Sequence, residues 1–518
     1  MSIWARAKLG RHDALLLAES LDERIPGDCG VRLLDAMLDK VDWSGWESRY
    51  RQDGPGRPPL HPRYLAGCFI YGVMKRVVSL RELEEATRMR QDFMWLMDGQ
   101  TADHSTFCTF RARFDDLIGD LFRQLNRAVA RERKMTLEEV LIDGTRFRAD
   151  SDRHGARTAK ALEAQLEALE AQAAEQLRTM PEETGASTDS AASLEARLGE
   201  LDQRRRKIER ALEVARERDV IKRAKDGPRP APVRVPVTDP DAYILPNKEG
   251  GYAPNYTPVL AVDSGKGLVA GACLADGNSE ADTVAPLMGQ VAEVAPGPTK
   301  RMLGDSAFGT GPNLKDMKAA GVEVYSPAGA AQRGDNPAVR PDPAIPVAGK
   351  DWDSLPMYGK QLDRAAFVYE SGADCYYCPM GRRLDPSRKL ARKSPGETES
   401  GTEYRCGDCS DCPLAGRCKR DGVACRTVRR DAFEPYREDL ASRMRTEQGK
   451  RIYARRAPIG EGAFAGIKRH LAIRRFTRRG KKRVGAELMW MCIGYNMHKL
   501  VALGRKSAGT AVPAPAVA

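Results

Sequence analysis

The sequence predicts an α/β core with two insertions, preceded by a bundle of short helices. Three observations carry this expectation. Between residues 138 and 325, short apolar runs with strand patterning alternate with helical stretches. Between Leu162 and Leu212, apolar residues recur at steps of three and four on either side of a break. Between Cys375 and Cys425, seven cysteines fall within a short span.

Bulk properties bound the possibilities. At 518 residues the chain is long enough for two to four domains, each with its own core. Its 42% apolar and 30% charged content points to extended or solvated parts beside those cores. No run of 18 or more apolar residues exists to span a bilayer, and residues 1–18 lack a sustained apolar segment. A cytoplasmic location is therefore expected, in which twelve cysteines read as reduced thiols or metal ligands. A pI near 9.1 argues for an anionic partner, nucleic acid ahead of membrane.

Residues 1–135 are expected to form an N-terminal helical domain. Gly54-Pro-Gly56-Arg-Pro breaks the chain before a helix opened by Pro62, Ser79 with Glu82 forms a capping-box pattern, and another helix starts after Asp103. Its arginines, Arg81, Arg88, Arg90, Arg111 and Arg113, suit either a helix-turn-helix-like DNA contact or a helical packing domain with solvated arginines. Residues 136–156 and 238–330 read as the core. Glu138 to Asp143 forms a buried strand, Tyr256–Val262 and Gly267–Leu274 a hairpin about Asp263-Ser-Gly-Lys, Ala281–Val294 a helix, and Lys300–Gly304 a strand ending at Asp305. A helix from Pro312 and a strand at Val322–Tyr325 complete the order of an α/β sheet of the RNase H type.

Residues 157–224 interrupt this core with two helical arms, read as an antiparallel coiled-coil hairpin or a dimer coil. Its basic stretch Arg204–Lys207 reads as a solvated face. Residues 365–430 form a Cys-rich insertion, 440–506 a C-terminal helical part of the core, and 507–518 an Ala/Pro/Gly tail expected to be disordered.

Charge concentrates late in the chain. From Lys450 to Lys506 sixteen Lys/Arg face two acids, a local +14 against +12 for the whole chain. One of the two acids is Glu461, in Tyr453-(x)2-Arg456-(x)4-Glu461-(x)6-Lys468. Carboxylates that bind magnesium suit such a setting when the substrate is a polyanion. Phosphodiester chemistry uses two divalent ions about 4 Å apart, and magnesium takes oxygen ligands, so two or three carboxylates must converge. Asp143 and Asp305 both end predicted strands, and Glu461 lies on a predicted helix, Gly460 to Arg469. Strand-end aspartates also serve as turn formers. Asp263 and Asp282 are rivals, better read as turn former and first-turn residue.

These segments resemble the DDE transposases of bacterial insertion sequences, in the branch with a cysteine cluster before the glutamate. The resemblance runs through Gly-Arg57-Pro-Pro-Leu-His-Pro62, Ser79 to Glu84 and Ala102 to Arg111, then Leu-Ile-Asp143-Gly-Thr, Leu-Gly-Asp305-Ser-Ala-Phe-Gly and Glu461-Gly-Ala-Phe-Ala-Gly-Ile-Lys468. Arg474-Arg-Phe476-(x)2-Arg479-Gly480 and Tyr495-Asn496 extend it to the C-terminal pattern. Four residues separate Arg456 from Glu461 where the family's common signature has three. The resemblance implies that Asp143, Asp305 and Glu461 hold Mg²⁺ or Mn²⁺. It implies that Tyr453, Arg456 and Lys468 contact phosphates, while Arg474, Arg475, Arg478 and Arg479 track the DNA backbone.

For the cysteines, two ligand sets compete: Cys375 and Cys378 with Cys406 and Cys409, or Cys378 with Cys409, Cys412 and Cys418. The resemblance favours the second, with structural Zn²⁺. Buried or free thiols without metal are the competing reading. Cys29, Cys68, Cys108, Cys273 and Cys492 read as core. The implied function is binding of double-stranded DNA, at an element's terminal inverted repeats and at target DNA, with 3′-strand cleavage and strand transfer by a homodimer. A catalytically idle DNA-binding derivative, and an RNase H-type nuclease that cuts without joining, are the alternatives.

Overall fold

The computed structural model describes residues 20–50, 58–133, 135–178, 188–226, 230–247, 250–277, 279–329, 335–390 and 401–509. The chain divides into two compact units, Met1–Arg133 with Phe147–Asn255 and Ala465–Ala518, and Lys134–Arg146 with Tyr256–Phe464. The expected 440–506 segment is therefore shared between them, dividing after Phe464.

The first unit is mainly helical. Pro62 starts the helix Pro62–Lys75, where its missing N–H costs nothing. Asp103 caps His104–Phe114 by accepting from the Thr106 amide at 2.6 Å, whereas Ser79 occupies the N-cap of Leu80–Met89 without a side-chain bond. Trp46, Phe69, Phe107, Phe110 and Phe114 are buried together, with Trp46 and Phe114 stacked at 4.8 Å between ring centroids. The last helix, Lys481–Gly509, lies on Pro62–Lys75 through Phe69 and Trp490. Each such buried aromatic contributes roughly 1.5–3 kcal/mol by leaving water. Residues 510–518 and Arg57 lie outside the described residues.

Arg81, Arg88 and Arg113 of this bundle are exposed, and Arg90 and Arg111 are half-buried. Arg88 pairs with Glu84, Arg90 with Asp92, Arg111 sinks towards the core, and Arg113 stands over the Tyr50 ring. The two arms are helices Ala159–Arg178 and Thr188–Asp226, packed together through Leu162, Ile208, Ala211, Leu212 and Ala215. The predicted break at Pro181–Ser190 falls largely outside the described residues. Arg204 to Lys207 is an exposed face, in which Arg205 and Arg206 pair with Asp202.

The second unit is built on a mixed sheet. Glu139–Gly144 lies at its centre, antiparallel to Tyr252–Asp263 on one side and parallel to Arg301–Leu303 on the other. Val269–Ala275 extends the antiparallel side, and Glu323–Tyr325 the parallel side. Numbered along the chain, these five strands stand in the order 3-2-1-4-5, an arrangement compatible with an RNase H-like core. From Ala253 onward the long strand is buried at every position, as befits a strand covered on both faces. Helix Val284–Val294 covers one face, with Gln290 accepting from the Ala272 amide at 2.9 Å.

The Cys-rich segment adds a second, antiparallel sheet of five strands in sequence order, from Val368–Glu370 to Thr427–Arg430. Its core gathers Tyr376, Leu384, Tyr404, Leu414 and Val428 with the cysteine side chains. Among the described residues, no helix is long and apolar enough to cross a membrane.

Candidate active site

Two neighbouring parallel strands deliver the first two acids. Asp143 is the fifth residue of Glu139–Gly144, and Asp305 follows Arg301–Leu303 by two residues. The strands run in register, Leu141 opposite Leu303, so both carboxylates emerge at the same end of the sheet. Asp305 also fastens its own turn, Oδ1 accepting from the Ala307 amide at 2.8 Å.

Arg456 joins the two. Its Nη2 donates to Asp143 Oδ1 at 3.0 Å and lies 3.9 Å from Asp305 Oδ2, while its buried Nε has no partner among the described residues. The sequence suggests a phosphate contact for this arginine; the structure places it on the aspartates. Its helix, Arg456–Ala465, approaches so closely that a Cβ on Gly460 would stand 2.9 Å from Asp143 Oδ2 and 3.1 Å from Leu141. A glycine is what lets this backbone reach the carboxylate. Glu461, the next residue, is exposed. Among the described residues, no three of His, Cys, Asp or Glu are gathered closely enough to hold a metal ion.

Glu280 is the acid that sequence reasoning missed. It stands at the start of the short turn Ala281–Thr283 and is half-buried. A Cβ on Gly144 would fall 2.1 Å from its Oε2, so the glycine after Asp143 makes room for this carboxylate. Burial, then the charges of Asp305 and Asp143, push the Glu280 carboxyl above its ordinary range. Burial likewise raises Asp143, opposed by Arg456 and reinforced by Asp305. The rivals take the roles expected of them. Asp263 is buried and accepts from the Lys266 amide within its turn, and Asp282 lies in the Ala281–Thr283 turn.

The mutual repulsion of these carboxylates is what an added positive charge would relieve. The sign of the pH effect follows. Asp143 and Glu280 hold protons more tightly when folded, so their contribution favours the folded state at acid pH. It is lost as pH rises from the ordinary carboxylate range through the raised values. In chelator, Glu280→Gln is expected to melt higher than the unaltered protein, by a margin that widens with pH across that window. A margin that does not change with pH in differential scanning calorimetry would contradict the coupling.

Arg455 goes elsewhere. With Arg301 it brackets the buried Glu139, at 2.5 and 3.1 Å. Tyr453 is half-buried on helix Glu447–Ala454. The predicted helix Gly460 to Arg469 is α-helical only to Ala465, and Gly466–His470 is a π-helix. Lys468 belongs to the first unit, where its ammonium lies 4.7 Å from the Phe147 ring centre.

The arginines that follow also belong to the first unit. Arg474 is exposed, while Arg475 and Arg479 both lean on Asp150, the latter at 3.0 Å. Arg478 requires a correction. It is 8% exposed, its Nη2 donates to Asp115 Oδ2 at 2.6 Å, and its amide donates to buried Glu487. A guanidinium so enclosed serves the fold, not a DNA backbone.

Cys378, Cys406, Cys409 and Cys418 are buried in the core of the Cys-rich module with Cys412 packed against it, and Cys406 and Cys409 share a hydrogen bond. Burial first, then neighbouring thiols, push Cys406 and Cys418 up to about 12, with Arg426 opposing the rise at Cys418. Cys375 is buried beside Tyr377, Arg383 and Asp385. Elsewhere, Cys68 and Cys492 are core residues as expected, but Cys108 is exposed on the helix His104–Phe114.

Two family models match the chain. One, described as Transposase DDE domain, covers residues 377–501, and the other, described as Transposase domain (DUF772), covers residues 19–113. The first spans the cysteines from Cys378 onward, Glu461 and the basic run, and the second the N-terminal helices. Both describe transposases. The two matches together support a DDE transposase of insertion-sequence type. Curated proteins and solved structures yield no match.

Proposed function

We propose that this transposase binds the ends of its own element in double-stranded DNA, cleaves their 3′ strands and joins them to target DNA. The observation that carries the reading is the pair Asp143 and Asp305, at one end of adjacent parallel strands and sharing Arg456. Asp143, Asp305 and Glu461 are the proposed ligands of Mg²⁺ or Mn²⁺. When bound, these ions activate the attacking oxygen and stabilise the leaving one. The close approach at Gly460 supports Glu461 as third ligand, since it brings the glutamate's helix against Asp143. Arg456 offsets the repulsion between the aspartates and keeps the site assembled. Tyr453, Lys468, Arg474, Arg475 and Arg479 are the proposed phosphate contacts, giving affinity and salt dependence without sequence choice.

Two DNA ends must be held together, so a homodimer is proposed, with the helical arms Ala159–Arg178 and Thr188–Asp226 as a candidate coiled-coil contact. The N-terminal helices are proposed to contribute to DNA binding. A second reading, a DNA-binding protein without catalysis, draws on the exposure of Glu461. Strand transfer of a labelled, pre-cleaved element end decides between them. Joined product in Mg²⁺ that disappears with Asp305→Ala supports the transposase, and cutting without joining marks a nuclease.

We also propose that Cys378, Cys409, Cys412 and Cys418 hold a structural Zn²⁺, with Cys375 and Cys406 as alternative ligands. Their place in one core supports this, since a cation would relieve the cost of ionising them together. Metal analysis of protein purified without chelator is expected to give one zinc per chain. Cys409→Ser is expected to lose it and to lower the melting temperature. Full zinc content in that variant would contradict the ligand set.

A further inference from the structure

We propose that the Cys-rich module carries a phosphate-binding pocket that takes the backbone of the DNA on which the enzyme acts. A cavity of about 580 Å³ opens there, lined by Arg364, Lys419, Arg420, Arg426 and Arg429. Among the described residues, no acidic side chain lines it. Two of the five cations are neutralised nearby, Arg364 by Glu434 and Arg429 by Glu403 at 3.1 Å.

The other three have no carboxylate partner among the described residues. Arg426 donates through Nη1 to the Cys418 carbonyl at 2.8 Å and through Nη2 to the Leu362 carbonyl at 3.2 Å. Its Nε is buried without a partner, and its guanidinium stands over Phe367. Lys419 donates to the Ala424 carbonyl at 3.2 Å, and Arg420 is exposed. Carbonyls satisfy donors but leave the charge in place. Concave walls of low dielectric then focus the positive potential into the cavity.

An anion rich in acceptor oxygens is the ligand this requires. Arginine forks match phosphate geometry, and lysine adds a point charge. Arg426 is fixed by packing and its carbonyl bonds, while exposed Arg420 and half-buried Lys419 are placed to close on a ligand. Val423, 45% exposed at the rim, offers apolar contact to a sugar. Among phosphate sources we assign DNA, because the chain is a transposase. The inference thus rests on the DNA-binding reading above.

The test measures binding of the full-length protein to a DNA duplex of arbitrary sequence at a series of salt concentrations, by fluorescence anisotropy. Lys419→Gln with Arg420→Gln removes two cations whose side chains are not core. Each phosphate contact contributes about 0.9 to the slope of log Kd against log salt, so the slope is expected to fall by about two. If the double variant melts as the unaltered protein does and keeps its slope, the pocket is not a DNA site. If it loses inorganic phosphate but not duplex, the pocket takes a small anion and the assignment to DNA is overturned. If the unaltered protein binds no duplex, the DNA-binding reading itself falls, a separate result. Should the variant fold poorly, Val423→p-benzoylphenylalanine decides: a photo-crosslink to duplex supports the proposal, and no crosslink under saturating duplex overturns it.

Discussion

Asp305→Asn is expected to leave the chain folded and to reduce Mg²⁺-dependent cleavage of element ends by about three orders of magnitude or more. Asparagine keeps the shape of the side chain and can still accept from the Ala307 amide, which fastens the turn. It removes the charge that a hard cation requires and, with it, several kcal/mol of transition-state stabilisation. Asp143→Asn is expected to behave likewise, because the two acids share one guanidinium and one end of the sheet. Asp263→Asn is the contrasting control. That acid is equally strand-terminal, but it is buried and spends its oxygen on the turn amide of Lys266. Cleavage by the Asp305 and Asp143 variants within tenfold of the unaltered protein would remove them from the active site.

The second large effect concerns stability. Asp115→Ala is expected to destabilise the first unit by about 3–5 kcal/mol, because it leaves Arg478 buried and unpaired. Both side chains are about nine-tenths buried, at 7% and 10% exposure, so solvent cannot take the place of the lost partner. Replacing the pair together, Asp115→Leu with Arg478→Met, is expected to recover most of the loss, since no orphaned charge remains. Urea denaturation followed by far-UV circular dichroism measures both. A loss below about 1 kcal/mol in the single variant would show that the pair is solvated after all.

Much of the second unit was legible from local pattern. The strands containing Asp143 and preceding Asp305 are short apolar runs with sharp ends, and they form where expected. The hairpin about Asp263 follows from its Asp-Ser-Gly-Lys turn, and the helix Val284–Val294 from its apolar spacing. What local pattern does not carry is which side chain a distant element meets. Glu280 precedes a single turn and has no periodic context, and only the fold brings it against Gly144. A glycine directly after a strand-end acid was the available signal, since it implied that something must fit there.

The basic run misled for a related reason. A row of arginines has the same composition whether it faces DNA or a carboxylate of its own chain. Arg478 and Arg456 both find internal acids, Asp115 more than 300 positions away and the Asp143–Asp305 pair. The helix expected over Gly460 to Arg469 changes to a π-helix at Gly466–His470, which turns Lys468 away from α-helical spacing. Likewise Cys108 reads as core from its apolar neighbours Phe107 and Phe110, both of which are buried, but its own place on the helix faces solvent.

Asp143 and Asp305 are proposed to hold a catalytic divalent ion. Binding of Mn²⁺ to the purified protein, followed by electron paramagnetic resonance as loss of the free-ion signal, tests it without requiring the element's ends. Saturable binding is expected, lost in the Asp143→Asn/Asp305→Asn double variant and kept in Asp263→Asn. Undiminished binding in the double variant would contradict it.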